Sequence, residues 1–164
     1  MTSSEAAHNR PAPKKVRDSQ SELSELVLPN DANGLGDLLG GKLMHLMDVA
    51  GSLAAARHAR TFVVTASFDH MNFLAPVRIG DLLLLYSSVN RAFRTSMEVG
   101  VKAYAENLRS GERRHVASAY LTFVALDGER RPTPAPLLEP ETDEERRRYD
   151  QAGKRRAYRL QLRR

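Results

Sequence analysis

The chain has 164 residues, 41% hydrophobic and 27% charged, which bounds it as one globular domain with a real core and tails. The absence of cysteine excludes disulfides, thiolate nucleophiles and cysteine-ligated zinc. No apolar run approaches the ~20 residues of a membrane span, and the start lacks a signal-peptide core, so neither a membrane nor export is expected. The formal charge of +5 lies at the ends: residues 1–20 carry four basic and two acidic side chains, residues 140–164 nine and five, and residues 21–139 a net −1. A nearly neutral body disfavours nucleic acid as the partner, although the basic tails keep it in view.

Residues 1–20 are rich in Ser, Pro, Lys and Glu and are expected to form a disordered tail. "SELSELVLPND", 21–31, suggests an edge strand running into a turn. "ANGLGDLLGG" is loop-like, with four glycines between Gly34 and Gly41. Residues 42–58, "KLMHLMDVAGSLAAARH", lack proline and are rich in Leu, Met and Ala, so they predict a helix. Leu43, Leu46, Met47, Ala50 and Ala54 share one face, and between 43 and 56 only His45, Asp48 and Ser52 are polar. A helix apolar nearly all round is buried on most sides.

Four β-like runs follow: "TFVVTASFDHMNFLAPV", "DLLLLYSSVNRAF", "TSMEVGVKAYAENL" and "RHVASAYLTFVALD". In the third, Met97, Val99, Val101 and Ala103 alternate with Glu98, Gly100, Lys102 and Tyr104, the pattern of a sheet buried on one face. The short connections "RIGD", "RAFRT" and "NLRSGERR" predict antiparallel hairpins between neighbours, and Pro76 a bulge or break. Residues 140–164 form a charged tail expected to be a mostly exposed helix. The fold class expected is therefore α+β, one long buried helix wrapped by an antiparallel sheet over 21–139.

Two features of the glycine-rich entry compete for a function. "GDLLGGKL" matches G-x-x-x-x-G-K from Gly36 to Lys42, but Leu43 stands where a phosphate-binding loop needs Ser or Thr, and the flanking strand–helix alternation is missing. The glycines do leave the first-turn N–H groups of the helix open to an anion or a polarised carbonyl. Asp48 is the sharper signal, because a carboxylate among Met44, Met47, Val49 and Gly51 must be hydrogen-bonded, neutralised or set at a wet cleft. It is either a structural aspartate bonded to local backbone or Ser52, or a general base, since desolvation strengthens a carboxylate as a base. His45, His58, His70 and His115 are scattered without metal-ligand spacing, and there is no G-x-S-x-G elbow.

G-G followed by M-D, then F-x-x-P-V-x-x-G-D, then T-S-M-E-V in order resembles the acyl-CoA thioester hydrolases of the hotdog superfamily over about residues 21–139. Within them the chain is similar to the bacterial broad-specificity branch and to the duplicated brain-type cytosolic enzyme. The resemblance implies a hotdog fold, hydrolysis of acyl-CoA to acid and free CoA, and a cytoplasmic homo-oligomer, a dimer and then a trimer of dimers, with no cofactor and no metal. It implies Asp48 as the catalytic carboxylate, base or nucleophile, and Gly40 and Gly41 as the helix start that polarises the thioester carbonyl. Asp37 falls where one half of the duplicated enzymes has a functional asparagine; a loop hydrogen bond is the other reading. Thr95 and Ser96 match a segment near the pantetheine arm in similar proteins. Asn72 is a substrate-binding candidate for which plain sheet-surface polarity is the simpler reading. Arg91, Arg94 and Lys102 are candidates for attracting CoA phosphates, each otherwise a solvated cation. The alternative function is a hotdog protein that binds acyl-CoA or acyl carrier without catalysis.

Overall fold

The computed structural model describes residues 10–162. In chain order the elements are β1 (Lys14–Lys15), β2 (Ser21–Leu26), α1 (Gly40–Ala59), β3 (Phe62–Phe73), β4 (Leu82–Ala92), β5 (Ser96–Glu106), β6 (Arg113–Leu126), β7 (Leu138–Glu139) and α2 (Asp143–Leu162). Five strands form one antiparallel sheet in the order β2-β4-β5-β6-β3, while β1 pairs in parallel with β7. The expected α+β class is what is observed: a long helix lies against one face of a curved antiparallel sheet.

The helix packs closely because of its small residues. Ala50, Gly51, Ala54 and Ala55 are buried, and a Cβ on Gly51 would meet the Phe123 ring at 3.0 Å. Met47 and Phe123, both fully buried, and their aliphatic neighbours Leu83, Leu85, Met97 and Leu121 fill the space between helix and sheet. Burial of side chains this large is worth about 1.5–3 kcal/mol each. The helix stops at Arg60, in the left-handed region at φ 54°, whose N–H donates to the Ala56 carbonyl at 2.8 Å. The Lys14 ammonium donates to the carbonyl of His58 at 2.7 Å, satisfying one of the open carbonyls at the helix end.

Three expectations meet a different arrangement. The connection after β3 is not a hairpin: β3 pairs with β6 at one edge, and the chain then crosses to β4 beside β2. The short "RIGD" turn thus joins strands that are not neighbours, because the sheet curls around α1. Residues 14–19, inside the segment expected to be a tail, belong to the fold, with Val16 and Ser19 buried; residues 1–9 lie outside the described residues. The sheet is also covered on its second face. Glu98, assigned by alternation to the polar face, is fully buried there, and α2 lies over it. Among the described residues no helix is long and apolar enough to cross a membrane.

Candidate active site

Asp48 stands two turns into α1, half-buried, on the flank of the helix next to β3. Its Oδ1 accepts a hydrogen bond of 2.6 Å from the Thr65 hydroxyl. Ser52 is not its partner; that hydroxyl donates to the Val49 carbonyl at 2.7 Å. Asp48 therefore keeps its second oxygen and the free lone pairs of the first for a proton donor arriving at the helix flank. Thr65 stands at a bulge of β3, between Thr65 and Ser67, where the pairing with β6 shifts register before continuing to Phe73.

The start of α1 is left electropositive. Leu39, at the N-cap, supplies no side-chain hydrogen bond, and the first turn contains no acidic residue. The N–H groups of Gly40 and Gly41 thus keep their donor capacity, with the positive end of the helix dipole behind them. Around this point lies a cavity of about 370 Å³ lined by Asn33, Asp37, Gly40, Leu43 and Phe73, among others. Gly40 faces the Phe73 ring, which a Cβ there would meet at 3.4 Å, close to ordinary van der Waals contact. The Asn33 carboxamide oxygen accepts the N–H groups of Leu35 at 2.9 Å and Asp37 at 3.2 Å, which fixes the loop and leaves the Nδ2 donors unused by it.

Lys42, the lysine of the phosphate-loop match, is tied to Glu25 at 3.2 Å and Asp31 at 3.4 Å, and the hydrogen bond with Glu25 raises its pKa. It points away from the role that match would require. Among the described residues no group of His, Asp or Glu side chains gathers to hold a metal ion. His58 is fully buried, its Nε2 2.8 Å from the Pro136 carbonyl, and burial lowers its pKa.

The remaining candidates lie apart from Asp48. Met97, Val99 and Val101 turn toward α1, so Ser96 and Lys102 turn outward, and Thr95 sits in the turn before them, its carbonyl bonded to the Ala125 N–H at 2.8 Å. Asn72 pairs with Ser118 in register and is exposed on the outer face. Arg91 is engaged by α2: its guanidinium lies 4.2 Å from the Tyr149 ring centroid, in space that the missing side chain of Gly153 leaves open. Arg94 is exposed in the turn between β4 and β5, where its carbonyl accepts from Arg10 at 3.1 Å. The structure thus gathers Asp37, Gly40 and Gly41 at the helix start and Asp48 on its flank, and leaves Asn72, Thr95, Ser96, Arg91, Arg94 and Lys102 outside. Thr65 and Asn33 had no distinguishing signal: one is a threonine in a β-like run, the other part of an Asn-Gly turn dipeptide.

One more feature bears on the site. β3 is an edge strand, and Phe62, Val64 and Phe73 along it are exposed, as are Met44 and Leu53 on the adjoining flank of α1. Phe62 retains 73% of its surface. An apolar edge of this length beside a half-buried carboxylate is an unfinished surface.

The thioesterase superfamily pattern matches residues 35–112. The chain is 43% identical over 135 residues to an uncharacterized acyl-CoA thioester hydrolase of Bacillus subtilis, covering 82% of this chain and 78% of that protein. A structure of an apo-hexameric acyl-CoA thioesterase superposes with a TM-score of 0.89 at 39% identity, covering 93% and 97% of the two chains. An acyl-CoA hydrolase from Staphylococcus aureus, in complex with butyryl coenzyme A, coenzyme A and coenzyme A disulfide, superposes at 0.85 and 37% identity, covering 92% of each chain. With a relative this similar over most of both lengths, the chain belongs to the acyl-CoA thioester hydrolases of the hotdog-fold thioesterase superfamily.

Proposed function

We propose that this chain hydrolyses acyl-CoA thioesters, with Asp48 as the residue that carries the reaction. The observation behind the assignment is the Asp48 carboxylate, held by Thr65 and open at the flank of an otherwise apolar helix. A second support is positional. The S. aureus enzyme has been studied with an asparagine, an aspartate or a threonine replaced by alanine, and these stand 15 and 17 positions apart in sequence. Asn33, Asp48 and Thr65 have the same spacing here. That spacing favours Asn33 over Asp37 as the polar group of the loop.

Acting as base, Asp48 takes a proton from water as the water oxygen bonds to the thioester carbon. The carbonyl oxygen gains negative charge, which the open N–H groups of Gly40 and Gly41 stabilise. The C–S bond then breaks and CoA leaves as its thiolate, to be reprotonated. Acting as nucleophile, an Asp48 carboxylate oxygen bonds the carbon as the C–S bond breaks and CoA leaves as its thiolate, and water then cleaves the mixed anhydride to the free acid and the Asp48 carboxylate.

Geometry sets where these parts come from. Eight residues of helix separate Gly40 from Asp48, about 12 Å at ~1.5 Å per residue, too far to serve one carbonyl. The active unit is therefore a dimer, in which the exposed β3 edges pair and Asp48 of one chain faces the helix start of the other. A trimer of such dimers matches the hexameric state of the similar thioesterase. Light scattering should show dimers or multiples of them.

Asp48→Asn tests the assignment, with release of free CoA followed by a disulfide reagent. Asn keeps shape and hydrogen bonding but is no base, so kcat should fall at least ~10²-fold while the fold persists. Near-parental turnover would overturn the role of Asp48. A parent chain that binds CoA but releases no thiol from any acyl-CoA would be the non-catalytic binder instead.

A further inference from the structure

On the face of the sheet opposite Asp48 lies a cavity of about 770 Å³, lined by residues of β2, β4, β5, β6 and the first half of α2 among others. Cations from three elements line it: Lys102 on β5, Arg147 and Arg148 on α2, and Arg57 near the end of α1, whose guanidinium donates to the Gln20 carbonyl at 2.6 Å. Arg148 is paired with Glu144 at 2.5 Å, whereas the ion pairs of the described residues leave Lys102 without a carboxylate. Glu22 is the one acidic residue in the lining. The other carboxylate nearby, Glu98, is fully buried and already neutralised, with Arg155 bonded at 2.7 and 3.0 Å and the Asn90 amide at 3.1 Å. Neutral donors complete the wall: the hydroxyls of Tyr86 and Ser88 and the amide of Gln151.

We infer that this outer-face cavity is a binding site for a small organic phosphate, separate from the thioesterase site. The donors suit a phosphate monoester, whose three terminal oxygens accept from ammonium, guanidinium and hydroxyl groups together. The volume exceeds what inorganic phosphate alone fills and leaves room for a polar body such as a sugar against Tyr86 and Gln151. Because α2 supplies one wall, the ligand bridges that helix to the sheet, and occupancy should tighten its docking. This inference does not depend on the role of Asp48.

Ribose 5-phosphate serves as the probe and ribose as its control, titrated calorimetrically into the full chain at fixed ionic strength. Ribose 5-phosphate should bind and ribose should not. Lys102→Gln should weaken binding roughly tenfold, the loss of one charge-assisted contact, and Lys102→Arg should restore most of it. Arg147→Gln with Arg148→Gln gives a second reading on a different element and should weaken binding as well. Asp48→Asn should bind like the parent. No binding of ribose 5-phosphate, equal binding of ribose, or parental affinity in both Lys102→Gln and the arginine double variant would overturn the site. Complete displacement of ribose 5-phosphate by saturating CoA would overturn its separateness.

Discussion

The two long helices cover the two faces of one sheet, each 20 residues long, and they are held in opposite ways. α1 buries nine residues, eight of them apolar or glycine, against the inner face. α2 buries only Ala152 and is tied to the outer face by charge. Arg155 grips buried Glu98 and lies 3.7 Å from the Tyr120 ring centroid, Arg159 pairs with Asp69, and Arg91 reaches up from β4 to Tyr149. The contrast follows from composition: α1 has a continuous stripe of Leu, Met, Ala and Gly, whereas α2 has almost no aliphatic surface to bury. Packing of the first kind is non-directional and defines the core; docking of the second kind is directional and depends on each partner being present.

The comparison predicts a graded series of failures. Truncation in α1 should cost most. Met47→Ala removes a fully buried side chain from the middle of the core, so denaturant unfolding should show a loss of about 2–5 kcal/mol. A loss under ~1 kcal/mol would mean that α1 is no more firmly packed than α2.

Next should come Arg155→Met. It leaves the Glu98 carboxylate buried with Asn90 alone at hydrogen-bonding distance and Arg159 at 3.9 Å, at a cost of up to about 3 kcal/mol. Pairing it with Glu98→Leu removes the stranded charge, and the double variant should recover to within about 1 kcal/mol of the parent. If the two changes simply add, the ion pair is not what holds α2, and exchange protection of its amides will be unaffected by either.

The smallest effect concerns pH. Burial lowers the pKa of His58 below its ordinary value of 6.5, so the unfolded chain binds the proton more readily than the native one. The stability this neutral histidine allows is complete above pH 6.5 and is lost as pH falls below 6.5 toward the lowered native value. Unfolding midpoints in urea should therefore drop between pH 8 and 5.5, and His58→Gln should flatten that dependence. The carboxylates held low, Asp127 and Glu141, act only below their ordinary range and leave this window clear.

Much of this molecule is legible along the chain. The Leu/Met/Ala stripe placed α1 within two residues of its observed start, and the β-like runs placed β4, β5 and β6 closely, with a period of two read in β5 alone. Asp48 stood out because a carboxylate in an apolar helix has no cheap local solution. Thr65 did not stand out: it reaches Asp48 across a bulge in another element, and no local pattern encodes that approach. Alternation put Glu98 on a water-facing surface, where instead a helix some fifty residues later supplies Arg155.

The division follows from range. Period, glycine spacing and a misplaced charge are properties of neighbours in the chain, and they specified a buried helix, a half-buried sheet and one aspartate in need of an explanation. Strand order, the crossing from β3 to β4, the Thr65 bond, the exposed β3 edge and the charged cavity beneath α2 arise only when distant segments meet. Those meetings are selected by which surfaces remain to be covered once α1 has taken the inner face of the sheet, a balance no single segment contains.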